Sequence, residues 1–220
     1  PPTTRRQRQM CIRDSVYLYS AGSSNIETAH ACRSSSAGSV AQVLMNRGPG
    51  FAVAISGPSC SGKTTLAKAI IKGFCGHLDK EDKRFKKDKV ERFRDPSKQF
   101  LLSYIPQDKW LLYPKIWTSE NAGLHEEPGG VDLDSVWEVL RGEQADEKVS
   151  LIITEGHKLF ASSRIVHDVD SLVWINASEN VVRRRRIYDR KTWGSVDQRK
   201  DLFEQHVWPN HLTYRKRVFE

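Results

Sequence analysis

Short apolar runs recur along the chain from Phe51 onward, and segments with helical spacing separate them. Each run has the length and the content of β-branched residues typical of a buried strand. The runs are FAVAISG (51–57), FLLSYI (100–105), SLIITEG (150–156) and SLVWINAS (171–178). The spacing of apolar residues predicts helices over 64–74, 135–141 and 180–188. Helices that alternate with buried strands predict an α/β fold with a parallel sheet flanked by helices.

Two segments lack this periodicity. Residues 1–50 carry the Ser/Gly-rich runs SAGSS and SSSAGS, so they are predicted to be a disordered or non-native tail ahead of one domain at 51–220. A transit peptide is the alternative for the tail, because it is rich in Arg and Ser and poor in acidic residues. Residues 79–98 alternate charges densely, which predicts a solvated helix or a mobile insertion; a nucleic-acid-binding patch is the alternative, which the interspersed acidic residues disfavour.

Composition and charge narrow the class of protein. The net charge of the 220 residues is +8, and six arginines against two acidic residues place +4 of it in residues 1–50. This charge favours phosphate-bearing partners without separating nucleotides from nucleic acids. No run approaches the roughly 20 apolar residues that span a bilayer. The four cysteines form no CxxC pair, so we expect no disulfide framework or zinc site and a reducing, cytoplasmic compartment.

The strongest chemical signal is the segment Gly57–Thr64, which matches GxxxxGK[ST] at every fixed position between a predicted strand and a predicted helix. Glycines allow backbone N–H groups to point at phosphate oxygens, and the helix adds the positive end of its dipole. Lys63 would neutralise phosphate charge, and the Thr64 hydroxyl would ligate Mg²⁺. The sequence thus predicts a P-loop, and it has no NKxD-like segment of the kind that specifies guanine. The predicted nucleotide-binding residues are Gly57, Ser59, Cys60, Ser61, Gly62, Lys63, Thr64 and Thr65.

Acidic residues follow two of the predicted strands. Asp108 comes just after the second strand, where a carboxylate can orient a hydroxyl or accept its proton; a loop Asp that caps the next turn is the alternative. Glu155 ends the third strand, the position from which a Walker-B carboxylate holds Mg²⁺; a solvated strand-end Glu is the alternative. In open α/β sheets ligands bind at these carboxyl ends, so the P-loop and both acids are expected at one edge.

A run of arginines occupies the last predicted helix. Four consecutive residues, Arg183 to Arg186, cannot share one helical face, so about two are expected to point inward. Arginines near a P-loop can close over the phosphates and stabilise transition-state charge. Arg186 and Arg190 are the candidates for this role.

These segments together resemble the nicotinamide riboside kinase family, within the uridine-kinase-like group of P-loop small-molecule kinases. The resemblance rests on GPSCSGKTTLAK, the QD after the second strand, the EG with LF following, the RRRR helix and above all HVWPNHLTYRKR. It covers roughly residues 51–220, with 76–99 as an insertion.

The resemblance implies that ATP·Mg²⁺ donates its γ-phosphoryl group to the 5′-hydroxyl of nicotinamide riboside, giving nicotinamide mononucleotide for NAD synthesis. It implies that Asp108 is the catalytic acidic residue, that Lys63 binds phosphate, and that Thr64 and Glu155 bind the metal. It also implies that Glu126 holds the ribose hydroxyls and that the arginine helix begins a lid. A small-molecule nucleoside is the expected partner, with no specific nucleic acid and no membrane.

The sequence departs from the family pattern at several positions. Lys109 stands where the family often has a second acid, Glu126 replaces an Asp, and His125 replaces an aromatic residue. Residues 199–202 replace the usual Pro-Pro-Gly-Tyr of the lid, and the chain stops at Glu220, so a truncated C-terminal part is expected. The alternatives are a uridine/cytidine-type nucleoside kinase and a nucleotide-binding protein with impaired catalysis.

Overall fold

One twisted sheet organises the protein. The computed structural model describes residues 16–20, 50–75, 89–94, 101–112, 124–126, 128–189 and 194–220. The strands in this part of the chain are β1 (Val16–Ser20), β2 (Phe51–Ser56), β3 (Glu91–Arg94), β4 (Leu101–Pro106), β5 (Val149–Glu155) and β6 (Ser171–Ile175). They form a single sheet in the order β1–β6–β2–β5–β4–β3.

The four central strands run parallel. β2 pairs in parallel with both β5 and β6, and β5 pairs in parallel with β4. These are the four strands predicted from the apolar runs, and the mostly parallel α/β architecture is confirmed. The helices in the described ranges are α1 (Lys63–Cys75), α2 (Leu133–Gln144), α3 (Ser163–Asp168), α4 (Glu179–Arg184), α5 (Val196–Leu202) and α6 (Trp208–Phe219). None of these helices is both long and apolar enough to cross a membrane.

The edge strand β1 corrects one prediction. It lies within the segment predicted to be a disordered tail, yet its backbone pairs antiparallel with β6 over five residues, from Val16 opposite Ile175 to Ser20 opposite Ser171. The sequence VYLYS consists largely of β-branched and aromatic residues, which favour strands even in a short run. The other residues before Gly50 lie outside the described residues, and the domain boundary at Phe51 stays a prediction.

The opposite edge strand, β3, corrects a second prediction. It falls in the charged segment predicted to be a solvated helix or an insertion, and it pairs antiparallel with β4. Its charges are held by specific partners. Arg92 donates to both carboxylate oxygens of Glu143, at 2.9 and 2.7 Å, and lies 3.2 Å from Asp146. Charged side chains are common on edge strands, where they discourage pairing with other chains.

Apolar layers cover both faces of the sheet. Val53 and Ile55 of β2 point toward α1, whose buried residues include Ile70 and Phe74. Alternate residues of the central strands point to the opposite face, where they pack against α2 and α3. The members of this second layer include Ala52, Ala54, Ile105, Val136, Leu140, Ile152 and Ile165. Burial on both faces explains why the central strands are almost continuously apolar.

The C-terminal helices form a third apolar cluster beside the sheet. α4 continues directly into a π-helical turn at Arg185–Asp189, which refines the single helix predicted over 180–188. α5 continues through a second π-helical turn, Phe203–Val207, into α6. The cluster is built from Ala177, Val182, Ile187, Leu202, Phe203 and Val207.

Replacing Glu143 with Ala is expected to lower the free energy of unfolding by about 2 kcal/mol. Glu143 is 5% exposed and accepts a hydrogen bond from the buried Ser103 hydroxyl as well as those from Arg92. Its loss would remove the acceptor of the buried Ser103 hydroxyl and would leave the half-buried Arg92 guanidinium paired with Asp146. Urea denaturation measures the change.

The matched control is Glu147→Ala, since Glu147 is exposed on the connection between α2 and β5. It should change stability by less than about 0.5 kcal/mol. Equal losses in the two variants would contradict a stabilising role for the Glu143 contacts.

Candidate active site

The glycine-rich loop connects the end of β2 to the start of α1. Gly57 has φ +141°, and a Cβ there would lie 2.4 Å from the carbonyl oxygen of Ile175, so only glycine allows the loop to cross so close to β6. Gly62 has φ +110°, a value that side chains other than glycine rarely adopt, and space is open around it. Cys60 takes a left-handed conformation with φ 63°. These three positive φ values curl the backbone of the loop, and its assignment as a P-loop stays a prediction.

Polar groups of the loop suit an anion. Lys63 is 6% exposed, and its Nζ donates to the carbonyl oxygens of Gly57 at 3.1 Å and Pro58 at 2.7 Å. The Ser61 hydroxyl oxygen is buried and has no hydrogen-bond partner among the described residues. The first turn of α1 also presents N–H groups that its own helix cannot satisfy. An ammonium, an unsatisfied hydroxyl and a helix N-terminus are together the donor set that a phosphate group requires.

Glu155 joins the ends of two strands to this loop. Its Oε1 accepts hydrogen bonds from Thr64 Oγ1 and from the Tyr104 hydroxyl, each at 2.9 Å. Burial raises the pKa of Tyr104, and the neighbouring Glu155 charge raises it further, so the phenol stays a donor. The structure thus brings Thr64 and Glu155 together, and their role as metal ligands stays a prediction.

The oxygen atoms of Thr64 and Glu155 suit Mg²⁺, which needs few protein ligands, better than a metal ion that proteins bind through three or four side chains. No group of three or more His, Cys, Asp or Glu side chains within the described ranges could hold a metal ion. Mg²⁺ usually takes only one or two protein oxygens and completes its shell with phosphate and water. Thr64 and Glu155 supply that number.

Two consecutive arginines of the first π-helical turn hold the loop. Arg185 Nη1 donates to the carbonyl oxygens of Cys60 at 2.9 Å and Ser61 at 3.1 Å. Arg186 Nη1 donates to Ser59 Oγ at 2.7 Å. The prediction that about two of the four arginines point inward agrees with this arrangement. Of the other two, Arg184 is exposed and Arg183 is paired with Glu204 on the second π-helical turn.

Arg186 also links the loop to a buried acid. Its Nη2 donates to Glu126 Oε1 at 2.9 Å, and the Glu126 carboxylate is 6% exposed. Burial alone would raise the pKa of Glu126, but the charge of Arg186 and of neighbouring cations outweighs it, so the pKa is lowered. Glu126 is therefore a carboxylate and a hydrogen-bond acceptor at neutral pH.

The ends of β4 and β5 are connected by residues to which the sequence assigned no role. Gln107 is fully buried; it accepts from the Lys158 backbone N–H at 2.9 Å and contacts His157 Nδ1 at 3.2 Å. A Cβ at Gly156 would lie 2.1 Å from Gln107 Oε1, so the Gln107 amide occupies the space that a side chain at 156 would need. The QD and EG pairs were visible in the sequence, but their mutual contact was not.

A small pocket opens beside the loop, with a cavity volume of about 10 Å³, close to that of one water molecule. Its walls come from the loop, from the 3₁₀ turn Leu124–Glu126, from the segment after β5 and from α6 with its preceding turn. The lining residues are Pro58, Ser59, Glu126, His157, Lys158, Val207, His211 and Tyr214. The Tyr214 hydroxyl fixes α6 against the sheet, because it accepts from Phe160 N at 2.8 Å and contacts Ser56 Oγ at 3.3 Å. The segment 206–217, noted for its resemblance, thus forms one wall of the pocket.

The remaining predicted residues lie at the edges of this arrangement. Asp108 is exposed in a 3₁₀ turn directly after β4, and its charge contributes to the pKa values of His157 and Tyr104. Lys109 points to the edge strand instead, with its Nζ 3.0 Å from Glu91 Oε1. Thr65 is exposed in the first turn of α1. Arg190, predicted to act with Arg186, lies outside the described residues.

Comparison with known proteins identifies the kind of fold. No protein-family model matches the sequence, and no curated protein matches it. Among solved structures, the chain is similar to a candidate fructose transport system kinase from Silicibacter sp. TM1040, with a TM-score of 0.59 and 11% sequence identity. The match covers 83% of this chain and 95% of that chain. The two chains therefore share an α/β fold.

Stability is expected to fall as the pH decreases from 6.5 toward about 4, the value to which burial lowers the pKa of His211. Burial also lowers the pKa of His157, against the opposing charge of Glu126. The unfolded chain protonates both rings in this range while the folded protein keeps them neutral. The unfolded state then binds more protons, so the free energy of unfolding rises with pH.

The variant His211→Phe should reduce the slope of this pH dependence and leave the part due to His157, since it removes one of the two titrating groups while a ring remains stacked on Trp174. Urea denaturation between pH 4.5 and 7 measures the slope. An unchanged slope in the variant would show that His211 does not contribute to it.

Proposed function

We propose that this protein is an ATP- and Mg²⁺-dependent small-molecule kinase with a P-loop, and that its acceptor is the 5′-hydroxyl of nicotinamide riboside. The product would be nicotinamide mononucleotide, a precursor of NAD. The observation that carries the proposal is the convergence of Lys63, Thr64, Glu155 and Arg186 on one glycine-rich loop at the carboxyl edge of the sheet. The kinase-like fold of the structural neighbour supports the same class of reaction.

The chain offers a group for each requirement of phosphoryl transfer. Lys63 and Arg186, which bind oxygen atoms of the loop, would turn to phosphate oxygens and stabilise the charge that develops during transfer. Thr64 and Glu155 would hold Mg²⁺, which supplies charge neutralisation between the phosphates when bound. Asp108 would accept the proton of the acceptor hydroxyl as its oxygen attacks phosphorus and the bond to the leaving diphosphate breaks.

We place the acceptor at this pocket, whose walls would have to separate to admit a nucleoside, since its volume of about 10 Å³ is close to that of one water molecule. Glu126 would bind its ribose hydroxyls, and His211 and Tyr214 would contact its base from α6. Because the loop lies at the other side of the same pocket, through Pro58 and Ser59, the acceptor hydroxyl would meet the phosphate there.

One observation favours a second acceptor. The Lys158 ammonium lies 5.0 Å from the centre of the Tyr214 ring, and Lys158 is 2% exposed. The positively charged pyridinium of nicotinamide riboside would be repelled by this cation, whereas an uncharged base would not. Uridine or cytidine is therefore the alternative acceptor.

The experiment that tests the function is ADP release, measured by a coupled assay with ATP, Mg²⁺ and each nucleoside in turn. We expect turnover with nicotinamide riboside above that with uridine or cytidine, and loss of turnover when EDTA removes Mg²⁺. The reverse preference would establish the alternative acceptor. ATP binding without turnover of any nucleoside would instead indicate a binding protein with impaired catalysis.

Asp108→Asn is expected to lower kcat by about 10²- to 10⁴-fold with little change in ATP affinity. The substitution keeps the size of the side chain but removes the basic oxygen that would take the hydroxyl proton. Asp108 is exposed, so the fold should not suffer.

The neighbouring variant Lys109→Ala serves as the control, because its ammonium contacts Glu91 on the edge strand. It should have a far smaller effect on kcat. Full kcat in Asp108→Asn, or an effect confined to ATP binding, would show that Asp108 does not have the assigned role.

A further inference from the structure

The side-chain amide of Gln107 is held in one orientation. The backbone N–H of Lys158 donates to it at 2.9 Å, and only the amide oxygen can accept, so Oε1 faces Lys158. The amide also fills the space beside Gly156, where a Cβ would lie 2.1 Å from Oε1 and 2.5 Å from the amide carbon. Gln107 is 0% exposed, and burial leaves no water to compensate for a flipped amide.

This orientation decides which nitrogen of His157 carries the proton. With Oε1 directed at Lys158, the NH₂ group of Gln107 faces His157 Nδ1 at 3.2 Å. An NH₂ group can only donate, so Nδ1 must accept. In a neutral imidazole the proton then resides on Nε2.

The Nε2 atom of His157 lies on the side of the ring nearest the buried acid. It is 3.8 Å from Glu126 Oε2, and both residues line the same pocket. The neutral ring thus presents an N–H beside a carboxylate that accepts. A hydroxyl group placed beside both atoms would accept from His157 and donate to Glu126.

We infer that Gln107 is a positioning residue that fixes His157 as the hydrogen-bond donor of the pocket, opposite the acceptor carboxylate of Glu126. His157 and Glu126 together select an acceptor molecule that has a hydroxyl group in position to bond to both. The donor state of His157 follows from the contacts of Gln107 alone, whereas its use on a nucleoside rests on the proposed function.

Nitrogen NMR of the ¹⁵N-labelled protein near pH 7.5 tests the donor state directly. Two-bond correlations from the ring protons distinguish a protonated from an unprotonated ring nitrogen, and the signals that His157→Gln removes belong to His157. We expect Nδ1 unprotonated and Nε2 protonated. In Gln107→Glu, whose carboxylate has no proton to donate, Nδ1 should become protonated.

A protonated Nδ1 in the unaltered protein, or no change in Gln107→Glu, would overturn the inference. The variant Glu147→Gln is the control for adding or removing one surface charge, and it should leave the His157 signals unchanged. This measurement does not depend on catalytic activity.

Steady-state kinetics test whether the His157 N–H binds the acceptor nucleoside. His157→Phe keeps a ring but removes the N–H, and we expect it to raise the KM for nicotinamide riboside or uridine about tenfold, as the loss of one hydrogen bond would, with little change in the KM for ATP. His157→Gln places an amide N–H near the position of Nε2 and should restore most of the loss. Equal effects of Phe and Gln would show that the N–H is not used.

The two proposals fail in distinguishable ways. If the unaltered protein phosphorylates none of these nucleosides, the proposed function is wrong, and the NMR spectra alone decide the role of Gln107. If it phosphorylates them but Nδ1 of His157 is protonated, the kinase assignment stands and the positioning role of Gln107 is wrong.

Discussion

The carboxylate of Glu155 is the contact on which the rest of the site depends. It ends β5 and accepts hydrogen bonds from Tyr104 of β4 and from Thr64 at the start of α1. One buried acceptor therefore sets the relative positions of a strand, its neighbour and the helix that follows the glycine-rich loop. A parallel sheet makes this possible, because the carboxyl ends of β2, β4 and β5 all reach the same edge.

The cations around the loop are held by oxygen atoms of the protein. Lys63, Arg185 and Arg186 bind oxygen atoms of the loop itself, namely backbone carbonyls and the Ser59 hydroxyl. Arg186 also pairs with the carboxylate of Glu126. Their side chains are thus ordered beside the loop, and in the proposed function Lys63 and Arg186 would exchange loop oxygens for phosphate oxygens.

Local pattern in the sequence was sufficient for the central elements and insufficient for the edges. β2, the loop and α1 were predictable because an apolar run, glycines at fixed spacing and a helical stripe follow one another. β3 was not, because its charged sequence resembles a solvated segment, and the strand is stabilised by pairing with β4 and by Arg92 contacts to Glu143, which lies 51 residues away along the chain.

In the candidate site, too, some residues could be predicted from local sequence pattern and others depend on contacts between distant parts of the chain. Lys63, Thr64 and Glu155 were found by motif, whereas the roles of Gln107 and His157 depend on contacts across 50 residues or more. The pairing of Glu155 with Tyr104 is of the second kind, since nothing in the run LLSYIP distinguishes a tyrosine that faces the site from one that faces the core. Long-range contacts of this sort leave no periodic trace in a sequence.

The π-helical turn at Arg185–Asp189 has a consequence for insertions and deletions. Its hydrogen bonds join residue i to i+5, so the turn contains one residue more than an α-helical turn would. Two adjacent arginines contact the loop in this geometry, and Ile187 still faces the apolar cluster. Removing a single residue here would close the turn as α-helix and rotate either the arginines or the apolar side chains away from their partners. Chain length at this point is therefore as constrained as residue type.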